Sequence, residues 1–366
     1  MYAERLTAAA EAEVEAIVEE QTLPLRDEIV GLQADLLQAQ TAAADEAEVK
    51  AALVAQIADL QVQIATLQAR VSELEAEATH DPGVLPYWGT PAWRDEFDYR
   101  DANGNPAVDP AKWYKRSRAD LGLLNDVAIP DAGQITVDAA GICHIRADWL
   151  ATPVARGGTG PTPLTHMTGY MDHRAYPAGK PAIYEQTYGR WEARLKAPTG
   201  PNTLGALPAF WLRSAKSGEI DIFESWGFGS APKSNGQKDG TSTTTVHTQT
   251  SGSGNVKYAW TLEEELKKKD GVQRPKVYDG FVTVALEFTP DYFAVFYDGV
   301  EAFRATPATK PNLWNPSYFG SPLHVRLNLH VGPSVDYYGL PDPARRELTK
   351  PLDFQIDYVR IWKMPA

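Results

Sequence analysis

The sequence predicts an all-β C-terminal domain preceded by an α-helical segment. Residues 1–80 contain no Trp, one Pro and one Gly, whereas all ten Trp of the 366 residues lie after residue 87. The first 80 residues hold 16 acidic and 4 basic side chains, and the remainder holds 32 acidic and 31 basic ones. A near-neutral C-terminal part argues against nucleic-acid binding, which requires a basic face. We therefore expect two parts with different roles.

Short apolar or alternating runs between Gly, Pro and Asp turns indicate strands throughout the C-terminal part. Asp298-Gly299 is a favourable two-residue hairpin turn between two of them. A part of about 285 residues is large enough to bury one substantial core. The runs on which this prediction rests are residues 134–137, 191–195, 283–288, 292–297 and 325–329.

A heptad pattern over residues 53–74 is typical of a coiled coil. Its apolar positions alternate in spacing between four and three, and they are Leu53, Ile57, Leu60, Ile64, Leu67, Val71 and Leu74. Small and charged residues interrupt the same frame near residues 39–50. We expect a continuous helical stalk over residues 23–80 that forms a parallel homo-oligomer through 53–74. The alternative is a hairpin that folds back near residues 41–45, although no Gly or Pro marks that turn.

Residues 1–22 form a separate predicted helix, which ends before Pro24 because proline cannot continue it. Its apolar stripe is surrounded by glutamates. This helix is therefore expected to bind a partner protein rather than an anionic membrane. The sequence has no basic, apolar leader at Met1 and no run of 18 apolar residues, so neither a secretory signal nor membrane insertion is predicted.

Three carboxylates, Glu219, Asp221 and Glu224, lie within a run that otherwise has the composition of a buried strand. In a regular strand Glu224 would face away from the other two. A β-bulge near Ile222-Phe223 would return it to their face, and bulges are common beside active sites. Clustered buried acids have raised and separated pKa values, which suit acid/base chemistry. An acidic sheet edge or a calcium site is the alternative interpretation.

Retaining glycoside hydrolysis uses two carboxyl groups about 5 to 5.5 Å apart, one as nucleophile and one as general acid and then base. Glu219 and Glu224 suit these two roles, with Asp221 between them. A negative Asp221 is expected to bond to or repel the nucleophile and to help keep the proton on Glu224.

The run Glu219–Glu224 resembles the signature of glycoside hydrolase family 16, the clan of laminarinases, lichenases, agarases and κ-carrageenases. The resemblance covers about residues 88 to 364. Further similar segments, in family order, are 93–98, 188–196, 207–212, 327–329 and 356–362. The resemblance implies a jelly-roll sandwich of the concanavalin A-like type for residues 81–366.

By this resemblance Glu219 is the nucleophile, Asp221 its partner and Glu224 the acid/base residue. It also implies sugar stacking on Trp211, and Trp226 is a second candidate, although β-sandwiches bury many Trp. His247 is expected beside the acids unless it is structural. No cofactor is required, and a structural calcium held by Glu96 and Asp357 is the one candidate metal, with a salt bridge as the alternative for Asp357.

The implied activity is that of an endo-acting retaining β-glycosidase, endo-β-1,3-glucanase-like or galactanase-like. Val282 and the segment 330–333 depart from the family pattern. They keep a second hypothesis open, in which the domain is a carbohydrate-binding adhesin without turnover.

A hydrolase on a helical stalk without a signal resembles a phage minor tail or tail-tip protein. This analogy favours a trimer over the dimer that the heptad rule suggests, a location in the virion tail, and contacts of the N-terminal helix with other tail proteins. A secreted bacterial enzyme whose signal has been removed is the alternative.

Overall fold

The computed structural model describes residues 22–40, 54–67, 83–117, 126–155, 163–175, 180–198, 203, 205–227, 241–249, 254–332 and 351–365. The chain divides into two compact units, Met1–Leu85 and Pro86–Ala366. In the first unit, residues 22–40 (α1) and 54–67 (α2) are helical. Among the described residues, no helix is long and apolar enough to cross a bilayer.

The two helices of the first unit pack against each other. Ile29 of α1 and Ile64 of α2 belong to one apolar cluster, which also includes Leu25, Leu32, Leu36 and Leu67. In one continuous helix, residues 29 and 64 would lie about 52 Å apart at ~1.5 Å per residue. The two helices therefore fold back on each other, and the prediction of a continuous stalk is wrong. The predicted turn at residues 41–45 lies outside the described residues. The apolar seam of each helix buries itself against the other helix, on either side of the weak stretch at 39–50.

Several predictions for the first unit lie outside the described residues. These are the N-terminal helix over residues 1–21 and the heptad positions Leu53, Val71 and Leu74.

The second unit is a sandwich of two β-sheets. Its helices are α3, Leu262–Asp270, and α4, Pro316–Phe319, and its 3₁₀ turns are Ala132–Gln134 and Pro311–Trp314. In chain order its strands are β1 Trp93–Asp95, β2 Tyr114–Lys115, β3 Ala128–Pro130, β4 Ile135–Val137, β5 Cys143–Val154, β6 Leu164–Thr168, β7 Tyr170–Asp172, β8 Gly189–Lys196, β9 Ala206–Ser214, β10 Glu219–Ser225, β11 Ser242–His247, β12 Lys257–Thr261, β13 Val282–Phe288, β14 Phe293–Tyr297, β15 Val300–Ala305, β16 Leu323–Val331 and β17 Leu352–Lys363.

Within the described residues, one sheet has ten strands and the other has seven. The ten-stranded sheet has the order β15-β14-β13-β8-β17-β5-β6-β3, with β1 against β17 and β4 against β5. The seven-stranded sheet has the order β12-β11-β10-β9-β16-β7-β2. Each predicted run overlaps a strand, and the turn at Asp298-Gly299 has the positive φ values, 47° and 72°, of a type I′ hairpin turn. The all-β sandwich prediction is confirmed.

The core lies between the inner faces of the two sheets. Phe223 of β10 stacks on Phe354 of β17, with ring centroids 6.3 Å apart, and thereby joins the two sheets. Trp191, Ile222 and Leu212 are also fully buried in this core. Because alternate residues of a strand face opposite sides, the residues between these core positions lie on the outer faces of the sheets.

Two glycines fix the ends of β10. A side chain at Gly218 would come within 2.4 Å of the Phe319 ring, and one at Gly227 would come within 1.8 Å of the Thr203 carbonyl oxygen. Only glycine fits such close approaches. The acidic strand is therefore held at both ends by tight packing against the chain.

Candidate active site

Strand pairing places the three acids on one face of the seven-stranded sheet. Ile220, Ile222 and Phe223 are buried in the core, with at most 1% of their surface exposed. The pairing register shifts between Asp221 and Glu224. Ile222 and Phe223 both face the core at this bulge. The alternation of the strand is therefore displaced by one residue, and Glu224 points to the outer face that Glu219 and Asp221 occupy. The predicted bulge is confirmed.

The neighbouring strands place specific partners beside each acid. Glu219 lies opposite Arg213 of β9 and His247 of β11. Asp221 lies opposite Trp211 of β9. We call the outer face of β11, β10, β9 and β16 around these residues the site face.

Glu219 is held in an ion pair. Its Oε2 accepts a hydrogen bond from Arg213 Nη1 at 2.7 Å. Burial raises the pKa of Glu219, while the Arg213 guanidinium opposes that rise. The positive charge therefore stabilises an ionised Glu219, as a nucleophile requires.

Asp221 and Glu224 both have raised pKa values. Burial raises the pKa of Asp221 well above its usual range, and the charges of Glu219 and Glu224 raise it further. Burial also raises the pKa of Glu224 to about 6, against the opposing charge of Lys257. A carboxyl group with a pKa of about 6 is protonated below that pH and keeps a protonated fraction near neutral pH, so it can donate a proton. Burial thus opposes the negative charge that the sequence analysis expects for Asp221.

His247 lies beside the acids, as predicted. Its Nε2 is 3.7 Å from Asp221 Oδ2, and its Nδ1 is 3.0 Å from Asn255 Nδ2. An amide nitrogen only donates, so Nδ1 accepts and the neutral ring carries its proton on Nε2, toward Asp221. Burial lowers the pKa of His247 to about 4. At neutral pH His247 is therefore an uncharged donor facing Asp221.

The two predicted sugar platforms have different positions. Trp211 lies on the site face next to Asp221, where its Nε1 donates to Asn328 Oδ1 at 2.6 Å. The Arg326 guanidinium lies 4.7 Å from the Trp211 ring, and only 8% of Trp211 is exposed. Trp226 is 3% exposed and packs on Leu207. The prediction of an open platform at Trp226 is wrong, because Leu207 covers it and makes it part of a small apolar cluster.

The predicted calcium ligands are occupied by arginines. Both Glu96 oxygens accept hydrogen bonds from Arg360 at 2.8 Å, and Asp357 Oδ2 accepts one from Arg194 Nη1 at 2.6 Å. A cation site needs carboxylate oxygens that converge and are free to bind. These two carboxylates are instead neutralised by different guanidinium groups, so they do not fit a calcium ion. The salt-bridge alternative for Asp357 is correct.

One group of described residues does bring potential metal-ligating atoms together. Ligand atoms of Glu219, Asp221 and His247 lie within 4.8 Å of one another. These residues belong to the acid cluster itself, and Arg213 already binds Glu219. Their close approach places Asp221 and His247 beside the predicted nucleophile, Glu219.

Sequence reasoning missed the polar residues of β16 on the site face. They alternate with core residues, and they are His324, Arg326, Asn328 and His330. This alternation was visible in the sequence and is the signal that could have found them.

The segment after Asn328, which departs from the family pattern, packs around the buried Asp126. His330 Nδ1 lies 2.9 Å from Asp126 Oδ2, and Asp126 Oδ1 accepts a hydrogen bond from the Val331 N–H.

A two-sheet sandwich with clustered, partly protonated carboxylates on one face defines a glycoside hydrolase of the paired-carboxylate class. Residues 166–336 match the model of glycosyl hydrolases family 16. This part of the chain is thus similar to family 16 domains, and the chain is a retaining glycoside hydrolase.

The chain is similar to several known proteins. A β-glucanase of Rhodothermus marinus is 25% identical over 294 residues, which are 76% of this chain and 86% of that protein. The catalytic domain of an endo-1,3-β-glucanase (laminarinase) from Thermotoga petrophila RKU-1 has the same fold, with a TM-score of 0.54 and 22% identity over 76% of this chain and 98% of that one. An endo-β-1,3-glucanase from Pyrococcus furiosus has a TM-score of 0.55 and 21% identity over 76% and 95% of the two chains.

Proposed function

We propose that the second unit is an endo-acting hydrolase of a β-linked polysaccharide, with a β-1,3-glucan-like backbone as the leading substrate and a galactan as the second. The observation that carries this proposal is the bulged strand β10, which gathers Glu219, Asp221 and Glu224 on one face. The β-glucanase of Rhodothermus marinus, named for that substrate class, supports the glucan backbone.

Glu219 is the proposed nucleophile. Arg213 keeps it ionised, so it can attack the anomeric carbon and form a covalent glycosyl-enzyme. In the same step the glycosidic oxygen leaves and takes a proton. Glu224, whose pKa is raised to about 6 by burial, supplies that proton.

The second step reverses these roles. Glu224 is now ionised and removes a proton from water, which attacks the anomeric carbon and releases Glu219. Asp221, protonated because burial raises its pKa, is placed to donate a hydrogen bond toward Glu219 as the nucleophile leaves. Two displacements at one carbon retain its configuration.

The test is the release of reducing ends from β-1,3-glucans, mixed-linkage β-glucans and galactans, followed by size analysis of the products. An endo-acting enzyme lowers the polymer size before it releases small sugars. A chain that binds these polymers without releasing reducing ends would be the adhesin of the alternative hypothesis.

We also propose that the first unit attaches this enzyme to a larger assembly, as in a phage tail protein, and that it self-associates. The acidic excess of residues 1–80, which a basic partner surface would complement, and the division into two units support the attachment. Sedimentation of the full chain beside a chain without residues 1–80 tests the self-association. Equal oligomeric states for both chains would contradict it.

A further inference from the structure

Arg326 occupies a position where a bound sugar chain would meet it. It lies between the core residues Val325 and Leu327 of β16, so its side chain is on the site face. It pairs with Trp211 of β9, and Trp211 pairs in turn with Asp221 of β10. At ~4.8 Å between neighbouring strands, Arg326 lies about 10 Å from Asp221. That distance corresponds to a neighbouring sugar subsite.

The Arg326 guanidinium is held in place on several sides. Its Nε lies 3.0 Å from Asp172 Oδ2, and its Nη1 donates to the Tyr170 hydroxyl at 3.4 Å. Its carbon Cζ lies 4.7 Å from the Trp211 ring centre. These contacts fix the orientation of the planar group before any ligand binds, which reduces the entropy that binding would cost.

The charge of Arg326 is only partly neutralised. Asp172, which is fully buried, also binds Arg116 Nη2 at 2.6 Å through the same Oδ2, so two guanidinium groups share one carboxylate. The Arg326 side chain is 19% exposed, and among the described residues its Nη2 has no hydrogen-bond partner. Arg326 therefore presents a fixed positive charge and a donor toward the cleft.

A neutral sugar makes little use of this arrangement. The guanidinium covers the Trp211 face on which a pyranose ring would stack, and hydroxyl groups gain less than anions from a charged donor. An anionic polymer, in contrast, would be repelled by the acid cluster unless positively charged side chains offset the negative charge of the acids. Arg213 offsets Glu219, and Arg326 extends the positive charge to the next subsite.

We propose that Arg326 is an anion-binding residue of the cleft and that the substrate is a β-linked polysaccharide whose sugars carry oxyanion groups. Sulfate esters, phosphate esters and uronic carboxylates share this chemistry. This inference rests on the proposed function, because it assigns the substrate class of the same site.

The test compares one backbone in four forms with the full chain. These are a neutral β-1,3-glucan and the same glucan partly sulfated, partly phosphorylated or oxidised to the carboxylate at C6. At least one anionic form is expected to have a higher kcat/KM than the neutral form. Arg326→Gln should lower kcat/KM for that form by roughly ten- to hundredfold, the effect of one hydrogen bond to a charged group. The neutral glucan should lose no more than about twofold by the same reasoning.

Arg304→Gln is the matched control. Arg304 also stacks on an aromatic ring, at 3.9 Å from Tyr292, and also pairs with a carboxylate, Glu301, but it lies on β15 of the other sheet. It should change no substrate's kcat/KM. An equal loss for neutral and anionic glucans in Arg326→Gln, or the same loss in Arg304→Gln, would overturn the proposal.

Binding separates this inference from the proposed function. Calorimetry with the Glu219→Gln chain, with and without Arg326→Gln, measures affinity for each glucan without turnover. Tighter binding of an anionic form that depends on Arg326 supports the inference even if the unmodified chain cleaves none of the glucans. Equal affinity for neutral and anionic forms, with normal cleavage of the neutral glucan, would overturn the inference and leave the proposed function intact.

Discussion

Buried carboxylates occur on the outer faces of both sheets, and their surroundings differ. On the ten-stranded sheet, Glu287 accepts hydrogen bonds from Trp88 Nε1 and Arg190 Nη1, both at 2.7 Å. On the seven-stranded sheet, Asp221 Oδ2 faces the uncharged His247, whose Nε2 lies 3.7 Å away. Strong donors stabilise the ionised form of a buried acid, whereas burial without them favours the protonated form. The first arrangement stabilises the fold, and the second prepares proton transfer.

The largest effect is expected at the nucleophile. Glu219→Gln keeps the volume of the side chain but cannot form the covalent intermediate, so hydrolysis should fall by on the order of a thousandfold or more. Polysaccharide binding and the melting temperature should be nearly unchanged. Reducing-end assays, calorimetry and thermal unfolding measure the three quantities. Turnover at the unmodified rate would show that Glu219 is not the nucleophile.

The acid/base residue should show a loss that depends on the leaving group. Glu224→Ala removes the proton donor, so substrates with poor leaving groups should lose about 10² to 10⁴ in kcat/KM. Aryl glycosides with activated leaving groups depart without a proton and should lose far less in the first step. Rates on a paired set of such substrates test this. Equal losses on both kinds of substrate would assign Glu224 another role.

Stability should change in opposite directions on the two sheets. Glu287→Gln removes one of the two carboxylates that Arg190 binds, the other being Glu192, and should lower the free energy of unfolding by about 2 kcal/mol. Asp221→Asn should raise that free energy at pH 7. Burial raises the folded-state pKa of Asp221 above its ordinary 3.8, so folding disfavours the ionised carboxylate that the unfolded state holds at pH 7.

The gain from Asp221→Asn should therefore shrink as the pH falls from the raised folded-state pKa toward 3.8, and it should be absent below 3.8, where the unfolded state is protonated as well. Denaturant unfolding at pH 7 and pH 3 measures both variants. A stabilising Glu287→Gln, or an Asp221→Asn that destabilises at pH 7, would remove the distinction between the two faces.

The smallest effect is a shift in pH dependence. Glu224 must be protonated to act as the acid, and burial raises its pKa to about 6, so kcat/KM should decline as the pH rises above about 6. Lys257 opposes that rise, so Lys257→Gln should move the decline to higher pH. Because Lys257 is exposed, added salt should reduce the shift. Lys268→Gln, on α3, is the control. A decline that Lys257→Gln leaves unmoved at low salt would exclude Lys257 as a neighbour of the acid.

The acid cluster could be predicted because its information is local. The strand, the three carboxylates and the extra residue near Ile222-Phe223 all lie within six positions. The registers that surround them are not local. Arg326 of β16 and Trp211 of β9 are far apart in sequence and meet only through pairing of their strands. Composition cannot give that register, although the alternation in β16 indicated which of its residues share a face.

The other wrong predictions concern residues whose neighbours in the fold could not be read from the sequence. The sequence predicts sugar stacking for Trp226 as it does for Trp211. The packing of Trp226 against Leu207, which the sequence does not reveal, places Trp226 in a small apolar cluster. The helices 22–40 and 54–67 carry the same heptad frame whether they continue or fold back, because the frame defines a seam and not the partner that covers it. Glu96 and Asp357 are acidic at positions that suit calcium, but arginines on neighbouring strands bind them.

The most direct test of the two-carboxylate site is trapping of the intermediate with azide. Glu224→Ala should form the glycosyl-enzyme on Glu219 from a β-linked aryl substrate and then stall, because no base activates water. Azide, a small anion, should attack in place of water and restore turnover. Retention at the anomeric carbon predicts a β-glycosyl azide, which NMR identifies by its anomeric coupling. An α-glycosyl azide, or no azide adduct, would contradict a retaining mechanism with Glu219 as nucleophile and Glu224 as acid/base.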